Sequence, residues 1–492
     1  MGKVTPVKKI SSMLVYSARH FAVCWSILLL FVAGPFSCRA DNSVNNGDAD
    51  TDLDTDTDTD TDTDTTWKNF EFEGCDQKFN PWKAGEQKYV AAPWIVNPTQ
   101  NSATIMWESA EAKPSFILWG RKGQWEKVTC VNEPFKAPIK AEFEDVHETW
   151  LYRARLENLE PGQRYQYTMP GAEVPVRDEM MPYFITNLQD FQDKVDSGKI
   201  SWEEVGVHSF VTAPKPGDPF TIMIAGDNQS IPNYESEVAD AMTRNPADFF
   251  IHLGDIVQDG FCREYTFNYL WMFRAALADM ASVHVSGNHE GDGDVIPYDT
   301  YFDIHPGESI DIKGQTVAPG PRSFTYDYGP IRFFALDTQR DMGPDSAQFR
   351  WLEHEIEKTV KNDKNIIYLF PVWHRPVFSW QAGRLKPYID SIQGLMKKWR
   401  VDAVFTGHIH WYERFEQEGV TYVVTGGAGA GLDPKDAGEP LDGANRVVHD
   451  SCRHFLIGDV NDQRIEFRVI KADDDSEIDS FTIKAKDRSD LR

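Results

Sequence analysis

Gly226-Asp227-Asn228-Gln229, Gly254-Asp255-Ile256-Val257-Gln258-Asp259 and Gly287-Asn288-His289-Glu290 are three blocks within one stretch of this chain. Each closes a short apolar run, at 220–225, 249–253 and 282–286. Runs of that length bounded by glycine read as buried strands. The segments between them, 235–244 and 263–279, are polar enough for helix, so the stretch predicts a βαβαβ layout. In open α/β sheets, ligands sit beyond the carboxyl ends of the strands. Three strand tips therefore present carboxylates, an amide and an imidazole to one sheet edge. A metal site is the simplest chemical reason for such a cluster.

Downstream the same texture continues. Strands are expected at 324–328, 331–336, 366–370, 402–406, 421–425, 454–459 and 464–470, and helices at 346–361 and within 385–399. Two further blocks end apolar runs: Pro371-Val372-Trp373-His374-Arg375-Pro376 and Gly407-His408-Ile409-His410-Trp411-Tyr412-Glu413-Arg414. His408 and His410 are two apart, so on an extended chain they point to one side. The glycine-rich run 426–431 lacks the Lys-Ser/Thr ending of a nucleotide loop and reads as a turn after a strand. His252, His284 and His454 lie inside strand-like runs and read as packing residues.

The candidate ligands in chain order are Asp227, Asp255, Asn288, His289, His374, His408 and His410. A mixture of carboxylate, amide oxygen and imidazole suits zinc, manganese or iron better than calcium or magnesium. The set is too large for one tetrahedral ion. Two ions sharing a bridging carboxylate would use it, clamp a phosphoryl group and activate a water between them for in-line attack on phosphorus.

Together these residues resemble the calcineurin-like metallophosphoesterases: Asp227, the Gly-Asp pair at Asp255, Gly287-Asn288-His289-Glu290, His374 and Gly407-His408-Ile409-His410. The longer run ending at Arg414 is similar to the purple acid phosphatase branch. The resemblance implies a two-sheet α/β sandwich flanked by helices. It implies that Asp227 and His410 bind a first divalent ion, that Asp255 bridges, and that Asn288, His374 and His408 complete a second. It places His289 outside the metal shell, where it would stabilise phosphoryl charge or protonate the leaving group. Asn288 and His289 are candidate substrate contacts; Arg375, next to His374, is a further candidate, with a surface or carboxylate-paired arginine as the favoured reading. Two positions depart from the pattern. Gln229 stands where relatives have Gly or His and is a candidate oxygen ligand. Gln258 stands where the purple branch has the tyrosine that favours ferric iron and gives colour. Two divalent ions, manganese, zinc or ferrous iron, are therefore expected. The implied reaction is hydrolysis of a small phosphorylated substrate, a phosphomonoester by analogy. A phosphodiesterase or nucleotide hydrolase on the same site, and a surface-binding protein with a relic phosphatase domain, are the alternatives.

The rest of the chain sets the context. With 492 residues, 41% of them hydrophobic, there is material for more than one domain. A formal net charge of −27 with no basic patch argues against nucleic acid as a partner. Basic residues before an apolar run at 21–32, then Cys38-Arg39-Ala40, predict an export signal over 1–40, cleaved near Ala40. The mature chain is then expected to carry no membrane span and to be secreted, periplasmic or held at a cell surface. Residues 41–66, dominated by Thr-Asp repeats, predict an extended, disordered acidic tether. Short alternating strands fill 67–214, with Ala103, Ile105 and Trp107 on one face. Trp107 and the run Leu159-Glu160-Pro161-Gly162-Gln163-Arg164-Tyr165-Gln166-Tyr167 resemble a fibronectin type III sandwich, with 187–205 as an inserted polar helix. The phosphoesterase-like domain is expected over 218–485. Cys75, Cys130, Cys262 and Cys452 lie beyond the signal; a Cys75–Cys130 bridge would close within the N-terminal β region, but the sequence does not assign pairs.

Overall fold

The computed structural model describes residues 70–75, 87–137, 148–176, 188–229, 232–291, 296–380, 385–434 and 443–492. The expected signal and acidic tether lie outside these residues. The described residues all belong to one compact unit.

Two sheets build the half that holds the strand-tip blocks. In the first, Phe220–Ala225, Phe249–His252 and Ala281–His284 run parallel, with His454–Val460, Arg464–Lys471 and Glu477–Lys484 added antiparallel on the far side of Phe220–Ala225. In the second, Ile331–Leu336, Tyr368–Trp373, Ala403–Thr406 and Val420–Thr425 are parallel neighbours. Phe324–Tyr328 and the pair Tyr412–Gln417 and Arg446–Asp450 flank them antiparallel. Buried aromatic and branched side chains from both sheets, among them Ile224, Phe249, Phe333, Phe370, Phe405 and Val423, meet in one core. Each such side chain contributes roughly 1.5–3 kcal/mol by leaving water.

Helices cover the outer faces. Pro232–Arg244 packs its Val238, Ala241 and Met242 against the first sheet. Ala347–Asn362 and Ile389–Lys398 pack Phe349, Leu352, Ile356, Ile392 and Met396 against the second. Ser346 caps the former, accepting a hydrogen bond from the Phe349 amide at 3.2 Å. The α/β sandwich flanked by helices is thus present. The 263–279 segment differs from the expected single helix: it is a π-helix over Glu264–Leu270 and then a short α-helix, Arg274–Leu277. Tyr265, Phe267, Tyr269, Trp271 and Phe273 are all buried. Five large rings in nine residues do not fit one face of a 3.6-residue helix, and the wider turn distributes them.

The N-terminal β region contributes a five-stranded sheet and extends the first sheet. Gln87–Val96 joins Ala281–His284 at Ser282 and Val96, and Ser102–Ser109 and Trp150–Glu157 follow. Ala103, Ile105 and Trp107 face Ile117, Trp119 and Tyr152, as the alternation predicts. Met106, on the opposite face, packs with Met223 and Phe250 of the strand-tip half. The inserted segment holds the helix Leu188–Asp196 followed by the strand Trp202–Glu204. Cys75 and Cys130 form a disulfide, whereas Cys262 and Cys452 are buried free thiols. No helix among the described residues is long and apolar enough to cross a membrane.

Candidate metal centre

The parallel strands of both sheets deliver their carboxyl ends to one edge, where the chain turns sharply. Asp227, Gln229, Asp255 and His408 all have left-handed backbone, with φ of 67°, 50°, 53° and 72°. Side chains at such positions cost on the order of 1–3 kcal/mol each and persist where neighbours impose them. The neighbours are visible. The Asp227 amide donates to Gly254 O at 3.0 Å, and the Asn228 amide donates to Asp255 O at 2.9 Å. The His408 amide donates to both Asp227 carboxylate oxygens at 2.9 Å. Two glycines make the room: a Cβ on Gly287 would overlap Asp255 Oδ1, and one on Gly407 would overlap Asp227 Oδ2. The extended chain expected through His408 and His410 is therefore corrected to a turn. Both rings still reach the cleft, because the left-handed residue redirects His408 rather than the pleat.

Asp227, Asp255, His374, His408 and His410 converge. His374 Nε2 lies 3.0 Å from Asp255 Oδ2 and 4.0 Å from Asp227 Oδ1. His408 Nδ1 is 3.2 Å from His374 Nε2. His410 Nε2 is 3.6 Å from Asp227 Oδ1. One ligand atom each from Asp255, His374 and His408 fall within 4.8 Å of one another. The second ring nitrogens are tied down: His374 Nδ1 donates to Leu253 O at 2.9 Å and His410 Nδ1 to Gly431 O at 2.7 Å. That fixes a hydrogen on Nδ1 and turns Nε2 inward toward the carboxylates, the orientation ligating imidazoles adopt. Asn288 Oδ1 is buried without a hydrogen-bond partner. An orphaned amide oxygen beside inward imidazole nitrogens and two carboxylates fits a divalent metal.

Electrostatics agree. Burial raises the Asp227 carboxyl well above its usual range, and Asp255 and Glu290 add to the shift while His374 opposes it. Burial also pushes Asp255 upward, but His374 and then His289 outweigh it and hold this carboxyl low. Burial works against charge on His374, yet Asp255 and Asp227 raise it to about 9. Burial, His374 and Arg375 lower His408 to about 2. Carboxylates and imidazoles packed this closely perturb one another strongly, as groups at metal and catalytic sites do.

The remaining candidates surround this group. Gln229 Nε2 donates to Asp255 Oδ2 at 2.9 Å, which brings it to the ligands. His289 donates from Nδ1 to Gln258 O at 2.5 Å, and its Nε2 lies 3.8 Å from Asp255 Oδ2. The exposed Gln258 side chain approaches His289 at 3.4 Å. Arg375 reaches sideways, donating to His408 Nε2 at 3.0 Å and to Gln339 Oε1 at 3.2 Å. Gln229, Asn288, His289, His410 and Asp433 face a cleft of about 260 Å³ above the centre.

Three participants went unassigned in the sequence reading. Glu290 is fully buried and accepts backbone N–H bonds from Asp255 at 2.9 Å, Ile256 at 2.7 Å and Gly287 at 2.5 Å. It stands next to His289 in a quoted block, and that adjacency was its signal. Asp433 accepts the His410 amide at 2.9 Å, and nothing local in the sequence marks it. His252, read as packing, is buried but also bonds Asn228 through Nε2 and accepts the Gly254 amide at 3.1 Å, joining the first two blocks. Burial lowers it to about 3, so it stays neutral.

Residues 220–412 match the family described as calcineurin-like phosphoesterase. The chain carries a calcineurin-like phosphoesterase domain. Its relatives include purple acid phosphatase homologues. A protein of Arabidopsis thaliana named probable inactive purple acid phosphatase 9 is 23% identical over 303 residues, covering 54% of this chain and 43% of that protein. A barley (Hordeum vulgare) protein named nucleotide pyrophosphatase/phosphodiesterase is 25% identical over 352 residues, covering 59% of this chain and 90% of that one. The match thus spans less than half of the first relative and most of the second. Among solved structures, purple acid phosphatase PPD1 from yellow lupin superposes with a TM-score of 0.60 at 17% identity, covering 81% of this chain and 75% of its own. The structure named PhoD superposes at 0.52, with 12% identity and coverage of 82% and 91%. Both share the fold of this chain.

Proposed function

We propose that this chain is an exported phosphoesterase that hydrolyses phosphoric esters at two divalent ions. The observation supporting the reading is the close meeting of Asp255, His374 and His408, with Asn288, whose Oδ1 is orphaned, lining the same cleft. Asp227 and His410 would hold one ion, Asn288, His374 and His408 the other, and Asp255 both, with Gln229 a further oxygen donor. Manganese, zinc and ferrous iron all suit these donors. When bound, such ions supply positive charge for the phosphoryl oxygens and acidify the attacking water.

The chain's own residues do the rest. Leu253 O and Gly431 O hold the His374 and His410 rings so that their Nε2 atoms need no reorientation to ligate. Glu290 knits the second and third blocks through three amides, fixing Asp255 relative to Asn288 and His289. With Nδ1 held by Gln258 O, His289 presents Nε2 to the cleft, where it can bond a phosphoryl oxygen and protonate the leaving alcohol. The Cys75–Cys130 bridge supports export, because disulfides persist in oxidising compartments.

Analogy with acid phosphatases favours a phosphomonoester. A phosphodiester is the second reading, supported by the barley relative, which this chain matches along most of its length. Metal quantification on the wild type, Asp255→Ala and His408→Ala, with turnover of mono- and bis-nitrophenyl phosphate, tests the proposal. Joint loss of metal and turnover in both variants is expected. Full activity in either variant, or less than one transition metal per wild-type chain, would refute it and favour a relic domain.

A further inference from the structure

The glycine-rich run 426–431 follows the strand Val420–Thr425 and is bonded to the first strand-tip block. The Ala428 amide donates to Gly226 O at 3.0 Å and the Ala430 amide to Asp227 O at 2.9 Å. Alternate residues of the run thus hold two successive carbonyls of that block. The Asn228 side chain adds a third bond, from Nδ2 to Ala428 O at 2.8 Å. At the end of the run, Gly431 O accepts His410 Nδ1 at 2.7 Å.

The direction of the Asn228 amide is set from the first sheet. His252 Nδ1 accepts the Gly254 amide at 3.1 Å, so its hydrogen is on Nε2, which donates to Asn228 Oδ1. Asn228 Nδ2 is left to face Ala428 O. Asn228 and Ala428 are each 1% exposed and His252 is fully buried, and buried bonds of this kind are costly to leave unmade. Close packing gives the run little freedom. A Cβ on Gly426 would overlap Ile409 O and lie 3.0 Å from Asp227 Oδ2, and one on Gly427 would overlap His454 Nδ1. Gly429, at φ +145°, has Glu235 Cγ 2.9 Å and Asn228 O 3.2 Å from where a Cβ would stand.

The bonds from the run to candidate ligands go to Asp227 and His410. Among the described residues, no hydrogen bond joins it to Asn288, His374 or His408; His374 is held instead by Leu253 O. Resting on the two-ion reading above, we infer that the run 426–431 is the positioning element for one ion position only. That position is the one served by Asp227 and His410, and His252 acts on it through Asn228. Loss of such outer partners costs about 10–100-fold in metal affinity. Damage to the run therefore releases one ion and leaves the other.

Two variants disturb the run by different means. Asn228→Leu removes the bonds to Ala428 and His252 at similar volume. Gly429→Ala forces a Cβ against Glu235 and Asn228 O at a backbone angle that disfavours one. The metal-free full chain of each is titrated with Mn2+ by calorimetry, electron paramagnetic resonance reads whether bound ions are coupled or isolated, and thermal melts check folding. Arg488→Ala is the destabilised comparator, because its partner Asp402 precedes the strand Ala403–Thr406, at the end away from His408. Wild type and Arg488→Ala are expected to take two ions and give the spectrum of a coupled pair. Asn228→Leu and Gly429→Ala should bind one ion unchanged and the other about 10–100-fold more weakly. With only the stronger position filled, their spectrum should be that of an isolated Mn2+, matching His410→Ala and not His374→Ala. Equal weakening of both ions, two unchanged ions, a match to His374→Ala, or the same loss in Arg488→Ala would overturn the inference. If Asn228→Leu does not fold, Gly429→Ala decides alone. A wild type that takes fewer than two ions would refute the two-ion reading itself, and this inference with it.

Discussion

Gly407→Ala should empty the metal centre while leaving the chain folded. A Cβ there would overlap Asp227 Oδ2 and sit 3.4 Å from both Asp227 Cγ and His374 Nδ1. The backbone cannot retreat, because the Gly407 amide donates to His374 O at 2.9 Å and the next amide, that of His408, holds both Asp227 oxygens at 2.9 Å. The carboxylate must move by roughly 1 Å to restore van der Waals contact. Ligand distances in a working metal site hold to about ±0.2 Å, so the displacement exceeds what a ligand tolerates. The expected result is at least a 10–100-fold loss of metal affinity, with about 1–3 kcal/mol of lost stability from overpacking. Gly394→Ala is the control. That glycine lies inside the helix Ile389–Lys398, and its added Cβ meets nothing within 4 Å. It should stabilise by about 0.5–1 kcal/mol and leave metal binding alone. Elemental analysis after dialysis against a weak chelator and thermal melts of both variants give the measurements. Wild-type metal content and activity in Gly407→Ala would show that the close approach of Gly407 to Asp227 is not part of the centre.

Other perturbations read other parts of the molecule. Glu290→Ala strands three buried amides and should destabilise by about 2–5 kcal/mol, measured by denaturant unfolding; a change under about 0.5 kcal/mol would mean that the amides find other partners. Cys75→Ser opens a bridge between residues 55 apart and should destabilise the N-terminal β region by up to about 4 kcal/mol, with an equal effect of reductant on wild type and none on the variant. Arg488→Ala leaves Asp402 buried without the guanidinium 2.5 Å away and should cost about 3–5 kcal/mol, whereas the double replacement Asp402→Asn/Arg488→Ala should recover part of it.

Much of this was legible before any coordinates. The runs before Asp227, Asp255 and Gly287 announce strands by length and apolarity, and the helix at Ala347–Asn362 by its Phe349, Leu352 and Ile356 spacing. Those signals are local, and the chain reports them within a window of a few residues. The strands Tyr412–Gln417, Arg446–Asp450 and Glu477–Lys484 were not read. Arg414 and Glu413 interrupt the apolar pattern of the first, because both are paired inside the fold, to Asp479 at 2.7 Å and to Arg446 at 3.0 Å.

The sequence by itself determined the set of donor groups and their attachment to strand ends, since residue type and the spacing of apolar runs are properties of short segments. Tertiary structure alone decided that Asp227 meets a turn 181 residues further on, that Cys75 pairs with Cys130, and that Asp433 lies beside His410. It also decided that His408 is turned by a left-handed backbone rather than a pleat. Such outcomes depend on which sheet edges come together, and that is set by burial of two apolar faces against each other, an energy summed over the whole chain that no single motif contains.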